Sequence, residues 1–519
     1  MPPSLRRFLA SVGRCNFEGL LMADNLAHSK SSCCALLPFP DDCWLIRCDV
    51  GQVAAIDVLP DDALLAIFDF CVVGYQDMDP IDVMFDVGLK RVIESWQSLV
   101  HVCRRWRGLV LGSPRRLNLQ LCWMPRGTAM KSLDIWPSLP LHIQGKVPET
   151  SVDDIMAELE HSDRIRKINL RLFTSSRIEE LCKAMEVSFP DLEFLLLSFG
   201  GLPYRPDLPD SFLGGSVPRL RYLHLDSIPF PGLPKLLLSA AHLSRLYLEN
   251  IPHSGYISPE AMATSLSVLT RLEILQLFFE SPQSCPDQEI RRPPPPTPSI
   301  LSTLTSFWFK GVQEYLEELV AQIDAPRLHA LSITFFNDID FDTPELNQFI
   351  SRTPIFGAYD ASHLIFHSHS ADLRLESHPE PSDHRRVNVR ILCQVSGWQL
   401  SSLAQICTLL RLLLTTEDLF IYEGNYPSYW EGDIENTEWL DLLLPFTAVK
   451  NLYLSKEFAP RIAPALQELT GVRTTEVLPV LQNVFLEGFH PSEPVQEGIA
   501  RFISARHLTN HPVAHSAWK

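Results

Sequence analysis

Leu220-Arg221-Tyr222-Leu223-His224-Leu225 and Leu243-Ser244-Arg245-Leu246-Tyr247-Leu248 share one pattern: an apolar residue, two residues of any kind, an apolar residue, one residue, an apolar residue. Upstream the pattern stands at Ile165–Leu170 and Leu192–Leu197, and downstream at Leu272–Leu277, Leu304–Phe309 and Leu328–Ile333. It returns at Thr416–Ile421, Val449–Leu454 and Leu481–Leu486. Successive starts are 27, 28, 23, 29, 32 and 24 residues apart, then 88, then 33 and 32. The gap of 88 leaves room for two degenerate copies, and Ala361–Phe366 and Arg386–Ile391 fit them.

A period of 20 to 30 residues around this core is the leucine-rich-repeat signature. The last three core positions alternate, as in a short strand with one buried face. Each strand stacks in parallel on the next, and the residues between return as helix, as at Leu316, Leu319, Val320 and Ile323. The predicted fold class is therefore α/β, with an irregular solenoid over 161–495 and a parallel concave sheet. The irregularity is written in the slot after the strand, where Asn is usual and this chain has Ile228, Ile251 and Phe336.

Residues alternating with the buried positions face the other side of the sheet. That row includes Tyr222, His224, Arg245, Tyr247 and Trp308, and continues to Tyr453. Aromatic residues with one polar edge are typical interface anchors. The first five are the predicted centre of a target-binding surface. The competing expectation is that these rings pack against one another.

The chain has 519 residues, 46% apolar and 20% charged, which is the composition of a folded globular chain rather than a disordered one. Sixty-two acids against 44 bases give a formal charge of −18, which argues against nucleic acid as the main partner. No apolar run is long enough for a membrane helix, so no membrane partner is expected. Twelve cysteines are too dilute for a disulfide scaffold. Cys33, Cys34, Cys43 and Cys48 lack zinc-finger spacing, so no metal site and no cofactor are expected. Residues 1–50 read as a flexible segment, 126–160 as a connector and 496–519 as a helix with a tail.

Between them, residues 51–125 have a helical texture. Leu64, Ile67 and Phe68 form one stripe after Pro60, and a second helix is predicted along Val92, Trp96, Leu99, Val100, Cys103, Trp106 and Val110. Cys103 reads as a small core residue of that helix. Charge is segregated: Asp57–Glu94 holds nine acids and two bases, whereas Ser95–Lys131 holds seven bases and no acid.

Leu59-Pro60-x-Asp62 with Ile67-Phe68, followed by Trp96-x-x-Leu99-x-x-Val102-Cys103-Arg104-Arg105-Trp106-Arg107, resembles an F-box. Together with the degenerate repeats that follow, it resembles the F-box proteins abundant in mushroom-forming fungi. The resemblance implies a substrate-recognition subunit of an SCF-type ubiquitin ligase, cytoplasmic or nuclear. In that role Leu59, Pro60, Ile67, Phe68, Leu99, Val102 and Trp106 dock on the SCF adaptor subunit and, through it, on cullin, while the repeats hold an unknown target protein. Pro60 and Trp106 are 46 residues apart, longer than the family's compact form, with an acidic insertion at about 71–90. A leucine-rich-repeat scaffold acting outside a ligase is the alternative.

Catalytic patterns are missing from the sequence. It contains no phosphate-binding Gly-rich loop ending in Lys-Ser/Thr and no His-Glu-x-x-His; Gly214-Gly215-Ser216 is only a near miss for a nucleophile elbow. His363, His367 and His369 read as polar positions of a degenerate repeat. No enzyme is expected. Arg291-Arg292 with Pro293–Pro296 reads as a polyproline surface loop.

Overall fold

A computed structural model describes residues 59–73, 95–117, 119, 121–123, 139–147, 152–172, 177–200, 205–284, 297–336, 343–357, 359–377, 385–393, 396–424, 434–469, 471–488 and 493–518. The segment 1–50, residues 74–90 of the acidic insertion and the polyproline loop lie outside the described residues. The chain divides into one unit over Met1–Ser113 and a second over Pro114–Lys519.

The first unit contains α1 (Asp61–Val73), α2 (Ser95–Val100) and α3 (Arg104–Gly112). The carbonyl of Pro60 accepts from Ala63 and Leu64 at 3.0 and 3.1 Å and closes the first turn. Asp61 and Asp62 occupy that turn, where the helix dipole favours negative charge. Leu64, Phe68, Val100 and Val110 are fully buried and Trp96 nearly so. The single helix expected from Val92 to Val110 is broken at His101–Cys103. Cys103 adopts extended backbone and caps α3, its Sγ accepting from the Trp106 N–H at 3.5 Å. The Val100 carbonyl at the end of α2 accepts from Arg107 Nε at 3.0 Å. Cys103 is thus a cap rather than a core residue of a helix face.

The second unit is built on one large sheet, with Ser299–Ile300 and Ile323–Asp324 pairing as a small second one, so Ile323 lies on a strand and not on the return helix expected there. The large sheet's described strands, in chain order, are β1 (Leu121–Trp123), β2 (Leu141–Val147), β3 (Ile165–Leu172), β4 (Phe194–Ser198), β5 (Tyr222–Asp226), β6 (Arg245–Ile251), β7 (Ile274–Phe279) and β8 (Ser306–Gly311). They continue with β9 (Ala330–Phe336), β10 (Ala361–His367), β11 (Ser370–Glu376), β12 (Arg386–Leu392), β13 (Asp418–Glu423), β14 (Asn451–Leu454), β15 (Asn483–Glu487) and β16 (Ala514–Trp518). Neighbours follow chain order except in the middle, which runs β9-β12-β11-β10-β13. All pairings are parallel except β10–β11 and β11–β12.

Two buried columns run across the strands. One passes through Ile168, Leu195, Leu223, Leu246, Leu275 and Phe307, and its far end through Leu419, Leu452 and Val484, all fully buried. Each such side chain contributes about 1.5–3 kcal/mol on burial. Ser362 occupies the same column between Leu375 and Leu419; its buried hydroxyl pairs with Thr416 Oγ1 at 3.1 Å. Return helices such as Pro259–Leu266 and Gln313–Val320 present buried faces. Repeated parallel strands with helical returns are the architecture of a leucine-rich-repeat solenoid.

Four expectations are corrected. The sheet begins before residue 161: β1 and β2 belong to it, and Val152–Leu159 is a helical return rather than part of a connector. The six-residue pattern misses these strands because its first apolar position holds Asn118 and Ser138. The helical unit correspondingly ends near Ser113, not at 125. Ala361–His367 and Arg386–Leu392 are strands, but not successive repeats: they stand in reversed spatial order with antiparallel β11 between them. The solenoid is interrupted by this meander, whose β10–β11 hairpin turns through Ser368-His369.

The C-terminal residues are not a tail either. The helix Glu493–Leu508 carries the fully buried Arg506, which donates to the carbonyls of Val477 (3.1 Å), Pro479 (3.3 Å) and Leu478. β16 then pairs with β15 as the edge strand. Gly214 is explained structurally: its φ is +68°, and a Cβ there would sit 2.9 Å from Ser188 Cα. Among the described residues no helix is long and apolar enough to cross a membrane.

Candidate functional site

In the helical unit the Leu59-Pro60 entry to α1 and the start of α3 meet. Arg105 Nη2 donates to the Leu59 carbonyl at 2.6 Å and to Asp61 Oδ1 at 2.6 Å, tying the start of α1 to the start of α3. Phe68 lies under Trp106, with ring centroids 4.7 Å apart. Phe68 is fully buried, so it belongs to the core of the unit and not to an exposed docking face. Leu59, Ile67, Leu99 and Trp106 are half-buried, Pro60 is exposed, and Val102 retains 50% of its surface. The exposed apolar positions are those at the entry to α1 and in the α2–α3 turn.

On the sheet face opposite the buried columns, register places Tyr222 beside Arg245, and His224, Tyr247, Gln276 and Trp308 in the next row. Phe194 stacks on Tyr222 at 4.2 Å; Tyr222 to Tyr247 is 5.3 Å and Tyr247 to Trp308 is 6.3 Å. Tyr222, His224 and Tyr247 are buried at 6%, 3% and 2% exposure. Here the competing expectation holds: these rings pack against one another. Arg245 and Trp308, at the margins, stay half-buried. Of the five residues expected to centre a recognition surface, three are core.

The same face near the C-terminus is different. His363, Phe420, Tyr453 and Phe485 align across β10, β13, β14 and β15. Their rings stack at 4.6, 4.2 and 4.5 Å, each pair 8° from parallel, and all four are half-buried. Beside them runs a polar column in which Asn451 Nδ2 donates to Asp418 Oδ1 at 2.6 Å and Asn483 Nδ2 to Asn451 Oδ1 at 2.8 Å. The alignment of rings and amides follows from parallel strands in unshifted register.

At the C-terminal ends of these strands lies an open depression of about 500 Å³, lined among others by His363, Tyr422, Glu423, Ser455 and Glu487. Gly424 completes its edge, where a Cβ would meet the His367 ring at 2.0 Å. Burial holds the His363 imidazole below its usual range; Glu376 opposes this and Arg374 adds to it. Burial also raises the Tyr453 phenol, with Asp418 adding to the shift. Tyr453 stood in the predicted row. Phe420 and Phe485 were missed, although each holds the variable position before the last apolar residue of its repeat, which is the signal that would have found them.

A further charged centre is structural. Asp372, fully buried on β11, accepts two bonds from Arg390 at 2.8 and 2.7 Å, and His367 Nε2 lies 3.7 Å away. Among the described residues no group of three or more His, Cys, Asp or Glu is placed to hold a metal ion.

No family model matches the chain, and no curated protein matches it. Among solved structures, it is similar to the crystal structure of the leucine-rich repeat-containing protein LegL7 from Legionella pneumophila, at 12% sequence identity and a TM-score of 0.27, over 69% of this chain and 97% of that one.

Proposed function

We propose that this chain is a substrate-recognition subunit of an SCF-type ubiquitin ligase. The helical unit docks on the adaptor, and through it on cullin, while the repeat sheet holds a target protein. The chain itself carries no chemistry in this role; it raises the effective concentration of target lysines near the conjugating enzyme. Its place of action is the cytoplasm or nucleus, and neither nucleic acid nor a membrane is required.

The observation that carries the proposal is the convergence of Leu59-Pro60 with the Val102–Trp106 segment through Arg105, in a unit separate from the repeats. Pro60 and Val102 are exposed there, and Leu59, Leu99 and Trp106 are half-exposed, which supplies apolar surface for a helical partner.

Changing Leu59→Ala and Pro60→Ala together is expected to reduce adaptor co-purification about tenfold or more, with the far-ultraviolet circular dichroism of the chain unchanged. Undiminished co-purification overturns the proposal. The 46-residue spacing between Pro60 and Trp106 favours a second reading, a repeat scaffold outside any ligase. That reading is adopted if the unaltered chain fails to co-purify the adaptor.

A further inference from the structure

We infer that the depression on the C-terminal part of the sheet receives a basic side chain, best an arginine, presented by an extended segment of the bound protein. This inference rests on the sheet face being the target-binding surface and names the chemistry recognised there.

Glu423, Glu457 and Glu487 border the depression, and among its described lining residues Lys456 is the one cation. Lys456 is largely exposed, and its Nζ lies 3.5 Å from Glu457 Oε1, so the rim is net negative. Glu487 Oε2 accepts from the Lys456 backbone N–H at 3.2 Å, which aims that carboxylate along the edge of the depression.

An acidic rim alone defines no site. The second observation is the lining beneath it. Ser455 is 2% exposed, and among the described residues its Oγ has no hydrogen-bond partner. Among the described residues the Nδ1 of His363, which also lines the depression, has none either. A buried polar atom left without a partner costs about 1–3 kcal/mol, and a ligand that supplies one recovers it. His363 Nε2 lies 3.8 Å from Glu376 Oε2, so Nδ1 is the ring nitrogen turned away from that carboxylate. The depression therefore has carboxylates at its rim and the buried Ser455 hydroxyl and His363 imidazole beneath them.

The aromatic ladder selects the shape. Because the rings of Phe420 and Tyr453 stack face to face, their edges form the surface beside the depression. A methylene stem packs on such an edge while its charged head reaches the rim. Arginine fits better than lysine, since a planar fork of donors can reach several separate acceptors at once.

The test uses the full chain and a fluorescein-labelled Gly-Ser-Arg repeat peptide, with citrulline and lysine versions of it, read by fluorescence anisotropy. The expected order is arginine, then lysine, then citrulline, with citrulline about tenfold weaker than arginine. Glu423→Gln with Glu487→Gln, which keeps an oxygen acceptor at each position, is expected to weaken the arginine peptide about tenfold. Lys456→Gln removes the competing cation and is expected to strengthen it about threefold. Equal affinity of the double variant and the unaltered chain would mean diffuse attraction to net negative charge and would overturn the inference. If the double variant fails to fold, Lys456→Gln decides: no gain in affinity overturns it. Adaptor co-purification by the same variants separates the two proposals. Loss of the peptide with the adaptor retained concerns the depression alone, and failure of adaptor binding in the unaltered chain concerns the ligase role.

Discussion

Two stretches of one sheet face carry aromatic side chains, and they differ in what surrounds them. In the N-terminal stretch, Tyr222 and Tyr247 are 6% and 2% exposed and lie 38° from parallel. In the C-terminal stretch, Phe420, Tyr453 and Phe485 are half-buried and stack within 8° of parallel. The N-terminal rings sit among the apolar side chains of Phe194, Leu196, Ile274 and Trp308, and a register shift follows Leu248. The C-terminal rings have Asp418, Asn451 and Asn483 beside them and no register shift. Position on the strand sets which face a residue occupies. Its neighbours decide whether that face is core or surface.

The columns beneath both stretches are equally buried, so a charge there is the most damaging change in either. Leu246→Asp and Leu452→Asp are each expected to cost more than about 4 kcal/mol and to open local repeats to proteolysis, read by urea denaturation and limited digestion. A much smaller loss for Leu452→Asp would show that the two stretches also differ in their core.

The comparison itself is broken or upheld by truncating one ring from each row. Tyr247→Ala is expected to cost about 3 kcal/mol, as for a buried aromatic. Phe420→Ala is expected to cost about 1 kcal/mol, mostly lost stacking. Equal costs, measured by the same denaturation, would mean that both rows are core and that the C-terminal one is not a free surface.

The smallest effect concerns buried carboxylates. Glu158, on the helical return Val152–Leu159, is 1% exposed, and among the described residues neither of its oxygens has a hydrogen-bond partner. Burial is the largest cause that raises its pKa, against His161 and Arg164. The unfolded chain ionises this group first, so its contribution to stability falls as pH rises from the ordinary carboxylate range to the raised value. Glu158→Gln is therefore expected to raise stability at neutral pH by about 1 kcal/mol and to make no gain at low pH, where both forms are neutral. Asp372, equally buried but bonded twice by Arg390, predicts the opposite sign for Asp372→Asn. Thermal melts across pH on both variants would sharpen the contrast; a destabilised Glu158→Gln would remove it.

Much of this was legible before folding. The apolar columns, the parallel strands from Ile165 to Ile333 and the strand character of Ala361–His367 and Arg386–Leu392 follow from side-chain alternation alone. The first two strands were not legible, because Asn118 and Ser138 break the six-residue pattern while Leu141 and Ile143 keep the buried face. β11 was not legible because an antiparallel return needs only alternation, seen in Ala371, Leu373 and Leu375, and no repeat spacing. The cap at Cys103 was hidden because a helical stripe stays in phase across a short break.

Sequence determined which side chains lie on each face of the strands, since a strand's period of two leaves no freedom once one face is apolar. It also determined the separate helical unit, through the clustering of Leu64, Phe68, Trp96 and Val110. Only the tertiary structure decided the order of the central strands, because local alternation is the same for parallel and antiparallel pairing. Only it decided which aromatic row is core, because burial is set by residues far apart in the chain. The burial of the Ser455 hydroxyl belongs to that second kind of fact: it arises from what the fold brings around it, and not from serine.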